Sequence, residues 1–310
     1  MNVPKALAVS KPNRIQQRRP WIRTETLVAW LFILPSMIGI TVFVFVPAIR
    51  GLLLSFTNSD LLTRADFVGL QNYQKLIDDR QFWSSMGITI RYVLLNIPLQ
   101  TAISLALAML LTRLTSSNII RGIIFLPYLL PMVMVTMIWL TLFDYEFGPI
   151  NALLAALGIE KIGFLNQANI VPSLAWINTW RHVGYVSLLF FAGLQTIPKE
   201  LYEASLIDGA NEWQSFTKVT LPLLRPVTVF VLVTSVVGSF QVWDSVAVAT
   251  NPSGGPGGAS RVIFWYITNL AFTRFDMGYA ATVAVALFAI ILAVAMFQMW
   301  YFRANKSDLG

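Results

Sequence analysis

The chain has 310 residues, of which 56% are hydrophobic and only 12% charged, with a formal net charge of +7. A mean hydropathy of +0.65 leaves too little polar surface to cover a water-soluble globule, so lipid must cover part of it. Cysteine is absent, which excludes disulfides, thiolate metal sites and thiol nucleophiles; the basic residues are spread over the connections between apolar runs, which argues for membrane orientation rather than nucleic-acid binding.

Residues 1–24 form a basic tail with Lys5, Lys11, Arg14, Arg18, Arg19 and Arg23 and no acid before Glu25. The positive-inside rule places such a tail in the cytoplasm. The apolar run after it is too long for a signal-peptide core and is expected to stay as an anchor. A membrane helix needs about 20 apolar residues. Charge-free gaps between Glu25 and Arg50, Arg91 and Arg113, Arg121 and Asp144, Arg225 and Asp244, and Asp276 and Arg303 predict five such helices. A sixth is predicted over 170–197, with Arg181 and His182 near its middle. The expected fold is therefore an all-α integral membrane protein of six transmembrane helices over residues 25–304, followed by a short tail, 305–310. Bends are expected at Pro35, Pro47, Pro98, Pro127 and Pro131, which membrane helices tolerate when neighbours satisfy the freed carbonyls.

Six crossings put both termini, the Arg113 to Arg121 turn and the segment around Glu203 in the cytoplasm. The connection from Asp144 to Asn169 carries Asp144, Glu146 and Glu160 against Lys161 alone, which agrees with an outward location. The connection from Thr57 to Phe82 is mixed in charge and decides nothing. The glycine- and proline-rich stretch from Asn251 to Ser260 cannot span and is expected to be a mobile outer loop. Trp30, Trp83 and Trp300, near span ends, suit interfacial anchoring.

A charge at the bilayer centre costs ~3 kcal/mol on the translocon scale, so polar stripes inside spans face the bundle interior. In the fourth helix Asn178, Arg181, His182 and Tyr185 follow i, i+3, i+4 and i+7, flanked by Trp176 and Trp180. In the fifth, Val237, Phe240, Gln241 and Asp244 follow the same spacing. Aromatic faces stack on sugar rings and amides bond hydroxyls, so both stripes suit a saccharide pathway; they equally suit contacts between helices. Arg181 has two readings, a structural partner or a contact with an acidic sugar or phosphate. His182 is the only histidine, so neither a multi-histidine metal site nor a Ser/His catalytic pair is supported. No HExxH motif or paired intramembrane aspartates support an enzyme.

Between the fourth and fifth helices lies the polar segment 198–223. Pro198, Glu200 and Glu203 read as a helix start. Gly209 stops that helix, Asn211 can cap a second one, and Pro222 ends the second or bends it into the next span. On the first helix Leu201, Ala204, Ser205 and Asp208 share a face. An amphipathic loop lying on the headgroups is the plainer reading of composition alone. The order Glu203-Ala204-Ser205, three residues, Gly209, nine residues, Val219-Thr220-Leu221-Pro222 resembles the "EAA" loop of binding-protein-dependent ABC transporter permeases. Ser205 stands in place of an alanine and Val219 in place of an isoleucine. Phe67-Val-Gly-Leu-Gln-Asn-Tyr73, Leu126-Pro127, Trp139, Trp180, Ala192-Gly-Leu-Gln195 and Gly254-Gly-Pro256 extend the likeness to the carbohydrate-uptake permeases related to the maltose and glycerol-phosphate systems.

The resemblance implies a transmembrane permease subunit of a bacterial inner-membrane importer of a sugar or oligosaccharide. Its expected partners are a second homologous permease, two cytoplasmic ATPase subunits and an extracytoplasmic substrate-binding protein. It implies that Glu203, Ala204, Ser205, Asp208, Gly209, Leu221 and Pro222 dock on the ATPase; the polar stripes themselves give Asn178, Arg181, Tyr185, Phe240, Gln241 and Asp244 as the expected lining of the pathway. The chain has no GxxxxGK[ST] phosphate loop, so ATP and Mg belong to the partner. Import of an acidic saccharide or glycerol phosphate, and a secondary transporter lacking an ATPase, remain as alternatives.

Overall fold

A computed structural model describes residues 24–60, 65–114, 117–250 and 253–302. The basic residues of the 1–24 tail up to Arg23, together with Arg303, Lys306 and the 305–310 tail, lie outside the described residues, as do Asn251 and Pro252. Two units are distinguished, residues 1–50 and 51–310. The first carries α1 (Thr24–Ile40), which contains Pro35, a π-helical turn over Thr41–Phe45 and the start of α2 (Val46–Leu54). Residues Thr26–Leu54 are long and apolar enough to cross a membrane, and large side chains such as Phe32 and Phe43 lie bare, 82% and 80% exposed. Surface of that kind is stable against lipid or another apolar chain, and not against water.

The second unit is organised around one long helix. After α3 (Gln71–Asp78), α4 runs from Arg80 to Leu114 with Pro98 inside it. Its 35 residues extend over ~50 Å at 1.5 Å per residue, well beyond the charge-free gap from Arg91 to Arg113. α5 (Asn118–Leu129) and α6 (Met132–Leu142) follow, then α7 (Pro149–Ala156) and α8 (Ile170–Gln195). Next come α9 (Lys199–Ile207), α10 (Glu212–Ser215), a π-helical turn over Phe216–Thr220 and α11 (Leu221–Leu223). The chain ends with α12 (Arg225–Phe240), α13 (Asp244–Thr250), a 3-10 turn at Pro256–Gly258, α14 (Ile263–Phe272) and α15 (Met277–Phe302). Among the described residues four helices meet the length and composition of a membrane span, or five when α5 and α6 count as one.

A seam of buried polar residues along α4 joins it to its neighbours. Thr89 Oγ1 accepts from the backbone N–H of Ile263 at 2.8 Å. Asn96 donates to Ser239 Oγ at 3.0 Å and accepts from Thr179 Oγ1 at 3.2 Å. Gln100 donates to Ser235 Oγ at 3.3 Å, and Ser104 Oγ donates to the Val183 carbonyl at 3.2 Å. In an apolar surrounding each bond spares a buried polar group the cost of desolvation, so the seam fixes the register of α4 against α8, α12 and α14. Apolar clusters fill the remainder: Tyr92, Leu174, Val246, Ile263 and Tyr279 belong to one, and Ala108, Phe190, Leu224 and Val231 to another.

At the start of α4, Asp79 holds distant parts of the chain together. Its Oδ1 caps the helix by accepting from the N–H groups of Gln81 (2.8 Å) and Phe82 (3.3 Å). Its Oδ2 accepts from the hydroxyls of Tyr266 (2.5 Å) and Tyr279 (2.6 Å). Burial pushes its pKa up, but the hydrogen bonds from Tyr266, Tyr279, Gln81 and Phe82 outweigh burial and hold the carboxyl below its ordinary 3.8. Because the folded pKa lies below the unfolded one, the stabilisation is complete above pH 3.8 and is lost as pH falls through the folded value. Asp79→Asn is expected to lower the melting temperature at neutral pH and to flatten its acid decline; a variant with the wild-type melting curve at every pH would contradict this.

Two spans depart from continuous helices. Proline at 131 forces Leu130 into extended backbone (φ −75°, ψ 140°), and α5 and α6 meet at 94°, a break where only a bend was expected. Where a fifth span is predicted, α12 ends at Phe240 and α13 begins at Asp244. The continuous face expected for Val237, Phe240, Gln241 and Asp244 therefore does not form.

Candidate functional site

The 198–223 segment folds as a helix, a turn and a second helix. α9 ends at Gly209, whose φ of +78° is a left-handed conformation that costs a residue with a Cβ ~1–2 kcal/mol. The Gly209 N–H donates to the Leu206 carbonyl at 3.0 Å and the Ala210 N–H to that of Ser205 at 2.9 Å, the paired bonds of a Schellman stop. Asn211 then starts α10 with a capping box. Its side chain accepts from the Gln214 N–H, and the Gln214 side chain accepts from the Asn211 N–H, each at 2.9 Å. Farther along, the backbone passes through the π-helical turn and Pro222 in α11 before entering α12, so Pro222 lies at the junction with the span as expected.

Glu203, Ala204, Asp208, Gly209, Leu221 and Pro222 are exposed. Ser205 is half-buried: its hydroxyl donates to the Tyr202 carbonyl (2.8 Å) and meets Ser215 Oγ (2.9 Å). It holds the two arms together, as does Tyr202, whose hydroxyl meets Thr220 Oγ1 at 3.0 Å. The face drawn through Leu201, Ala204, Ser205 and Asp208 is thus divided, because packing of the second arm takes one of its members. At the tip, Leu206, Ile207 and Trp213 are 63%, 86% and 70% exposed. These apolar residues flank the acids, and Ile207 and Trp213 carry no signal in the motif itself.

Inside the unit, α4, α5, α8 and α12 line a half-open cavity of about 300 Å³. Of the fourth-helix stripe, Asn178, His182 and Tyr185 line it and Arg181 does not. Asn96, Gln100, Tyr128, Thr234, Ser235 and Ser239 also line it, so the seam of α4 supplies part of its wall. Tyr128 and Tyr185 stack with centroids 4.5 Å apart and planes 11° apart. Trp176 and Trp180, expected to offer sugar-stacking faces, instead pack edge-on against Trp139, at 5.9 and 5.7 Å.

Arg181 has a structural partner. Its Nε donates to the Leu130 carbonyl at 2.9 Å and Nη2 to that of Tyr128 at 3.1 Å, with the guanidinium 5.1 Å from the Tyr128 ring centre. These carbonyls are freed where α5 breaks, and a cation there also meets the negative end of the helix. His182 Nδ1 lies 2.9 Å from the Asn178 carbonyl and Nε2 lies 3.1 Å from Arg181 Nη1. A carbonyl only accepts and a guanidinium only donates, so His182 is neutral with its proton on Nδ1. Arg181→Met is expected to leave both carbonyls unsatisfied, at ~1–3 kcal/mol each, and to lower thermal stability far more than it changes ligand selectivity. A stable Arg181→Met protein with altered selectivity would overturn that role.

The second stripe fares differently. Phe240 is buried in the core, while Gln241 and Asp244 are exposed at the interruption between α12 and α13. The cavity side of α12 is formed by Val231, Thr234, Ser235, Gly238 and Ser239. No group of three or more potential metal ligands occurs among the described residues.

A family model described as "Binding-protein-dependent transport system inner membrane component" matches residues 99–306. The trehalose/maltose transport system permease protein MalF of Thermococcus litoralis is 30% identical over 91% of this chain and 95% of its own length. The lactose transport system permease protein LacF of Rhizobium radiobacter is 33% identical over 89% of this chain and 94% of its own. In fold, the chain is similar to a solved bacterial ABC transporter involved in import of the acidic polysaccharide alginate, with a TM-score of 0.79, 22% identity and coverage of 91% of this chain and 97% of that one.

Proposed function

The chain belongs to the family of binding-protein-dependent transport system inner membrane components, and on that premise we propose that it is the permease subunit of an ATP-driven importer of a neutral sugar or oligosaccharide. The observation that carries the substrate reading is the cavity between α4, α5, α8 and α12. Its walls offer amides, hydroxyls, a neutral imidazole and a stacked tyrosine pair, and the neighbouring Arg181 is committed to the carbonyls of the α5 break. Hydroxyl-rich neutral rings are matched by such groups, whereas an anion requires an available positive charge. Gln241 and Asp244 remain pathway groups in this reading, at the exposed interruption of the fifth span. Phe240 and Arg181 support the wall from behind. Import of an acidic saccharide is the second reading, suggested by the fold shared with an alginate importer.

Six crossings complete the proposal. α1 with α2, α4, the broken α5 and α6 pair, α8, the interrupted α12 and α13, and α15 each cross once. α8 is admitted although it carries Arg181, because its 26 residues reach ~39 Å and the charge is satisfied internally. Both termini and the α9–α10 segment then lie in the cytoplasm of a bacterial inner membrane. There Glu203, Asp208 and the bare Ile207 and Trp213 meet one of two ATPase subunits, which hold ATP and Mg; a second permease and an extracytoplasmic binding protein complete the machine. Closure of the ATPases moves the docked segments and shifts the pathway between two states, with delivered sugar biasing the same equilibrium.

Asn178→Ala and Tyr185→Ala are each expected to reduce sugar uptake about tenfold, the effect of one lost contact worth ~1.4 kcal/mol, with assembly intact. Unchanged uptake kinetics in both would remove this cavity from the pathway.

A further inference from the structure

A separate cavity of about 600 Å³ lies where the last turn of α4, the end of α8 and the first turn of α9 meet. It shares no lining residue with the cavity described above. Met109, Leu194 and Ile197 give it an apolar floor, and Arg113, Lys199 and Tyr202 stand at its polar side. No acid lines it. Glu212 meets Arg113 Nη1 at 3.0 Å, but both partners are over half exposed, and such a pair is weakly held and occupies one of five guanidinium donors. Lys199 forms no salt bridge among the described residues. It is also the first residue of the nine-residue α9, whose first turn carries the acid Glu200 as well.

We infer that this cavity binds the phosphate-bearing headgroup of an anionic phospholipid. The inference rests on the orientation proposed above, which puts this end of α4 and α8 at the cytoplasmic surface. Cations at the inner ends of spans attract anionic headgroups, and the apolar floor matches the start of an acyl chain. A soluble phosphate ester shares the headgroup chemistry but leaves that floor uncovered. Through Tyr202 and Lys199, a bound headgroup touches the root of the segment that couples to the ATPase.

The complete transporter, reconstituted in phosphatidylcholine nanodiscs containing phosphatidylglycerol, would be examined by native mass spectrometry. Retained phosphatidylglycerol is expected to fall at least about tenfold in the double variant Arg113→Gln/Lys199→Gln, which removes both cations that line the cavity. Lys161→Gln, a charge change at a distant loop, is expected to retain it. Equal retention by wild type and the double variant would overturn the inference. So would Lys199-dependent binding of free glycerol 3-phosphate in pure phosphatidylcholine discs, which would give the site to a soluble ester. ATPase subunits present in the same spectra report separately on the transport assignment: their absence contradicts that assignment, while equal lipid retention with the ATPase bound contradicts only the lipid site.

Discussion

Gly209→Pro is expected to reduce uptake to background while the chain still inserts and accumulates. Proline holds φ near −65°, whereas Gly209 sits at +78°, and proline also lacks the N–H that donates to Leu206. The turn must therefore open, and the α9 acids and exposed Ile207 lose their placement relative to Trp213 on α10. A Cβ added at Gly209 meets nothing within 4 Å, so the damage is conformational rather than steric. Gly209→Ala should consequently be much milder, at ~1–2 kcal/mol of local strain. Glu203→Lys is expected to abolish uptake by a different route, reversing a surface charge without altering the turn. Uptake assays beside membrane-fraction immunoblots separate coupling from expression. Wild-type uptake by Gly209→Pro would sink the docking role of this segment.

Gly184→Leu is expected to prevent the second unit from packing. A Cβ at Gly184 would overlap the Ile124 carbonyl oxygen and stand 2.7 Å from its carbon. Those are backbone atoms of α5, so no rotamer change relieves the overlap. α5 must leave α8, which would separate Arg181 from the carbonyls at 128 and 130 and part Tyr128 from Tyr185. Overpacking commonly costs ~1–3 kcal/mol, and rigid backbone on both sides puts this case at or above the upper end. Gly87→Ala supplies the contrast: nothing lies within 4 Å of the position its methyl would take, and alanine is the better helix former by ~1 kcal/mol. Thermal melting of purified protein should show loss for Gly184→Leu and none for Gly87→Ala. Equal melting temperatures would mean that α5 does not approach α8 this closely.

Local chemistry made part of this structure readable in the sequence. A glycine stop at Gly209 and an Asn211 cap need only neighbours a few residues away, so the helix, turn and helix followed from residue order. The i, i+3, i+4, i+7 count placed Asn178, His182 and Tyr185 on one face, and that face lines the cavity. Along α4, Asn96, Gln100 and Ser104 recur every four residues, a polar signal that charge-gap reading passes over. Other features depend on contacts between distant segments. Pro131 signals a bend, but a 94° break is sustained by Arg181, fifty residues later in the chain. The end of α12 at Phe240 has no proline to announce it; Val242 is buried there, and packing overrides the periodicity that would have carried Asp244 onto the Phe240 face. Ser205 likewise has the spacing of an outward residue and the hydrogen bond of an inward one.

ATP hydrolysis by the complete reconstituted transporter, measured across binding proteins loaded with neutral oligosaccharides, an acidic oligosaccharide or glycerol phosphate, tests the central claim most directly. The account predicts stimulation by a neutral sugar, weakened by Asn178→Ala and Tyr185→Ala. Stimulation by the anionic ligands alone would contradict the neutral cavity and the structural role of Arg181, and failure of any ATPase subunit to assemble with this chain would contradict the importer itself.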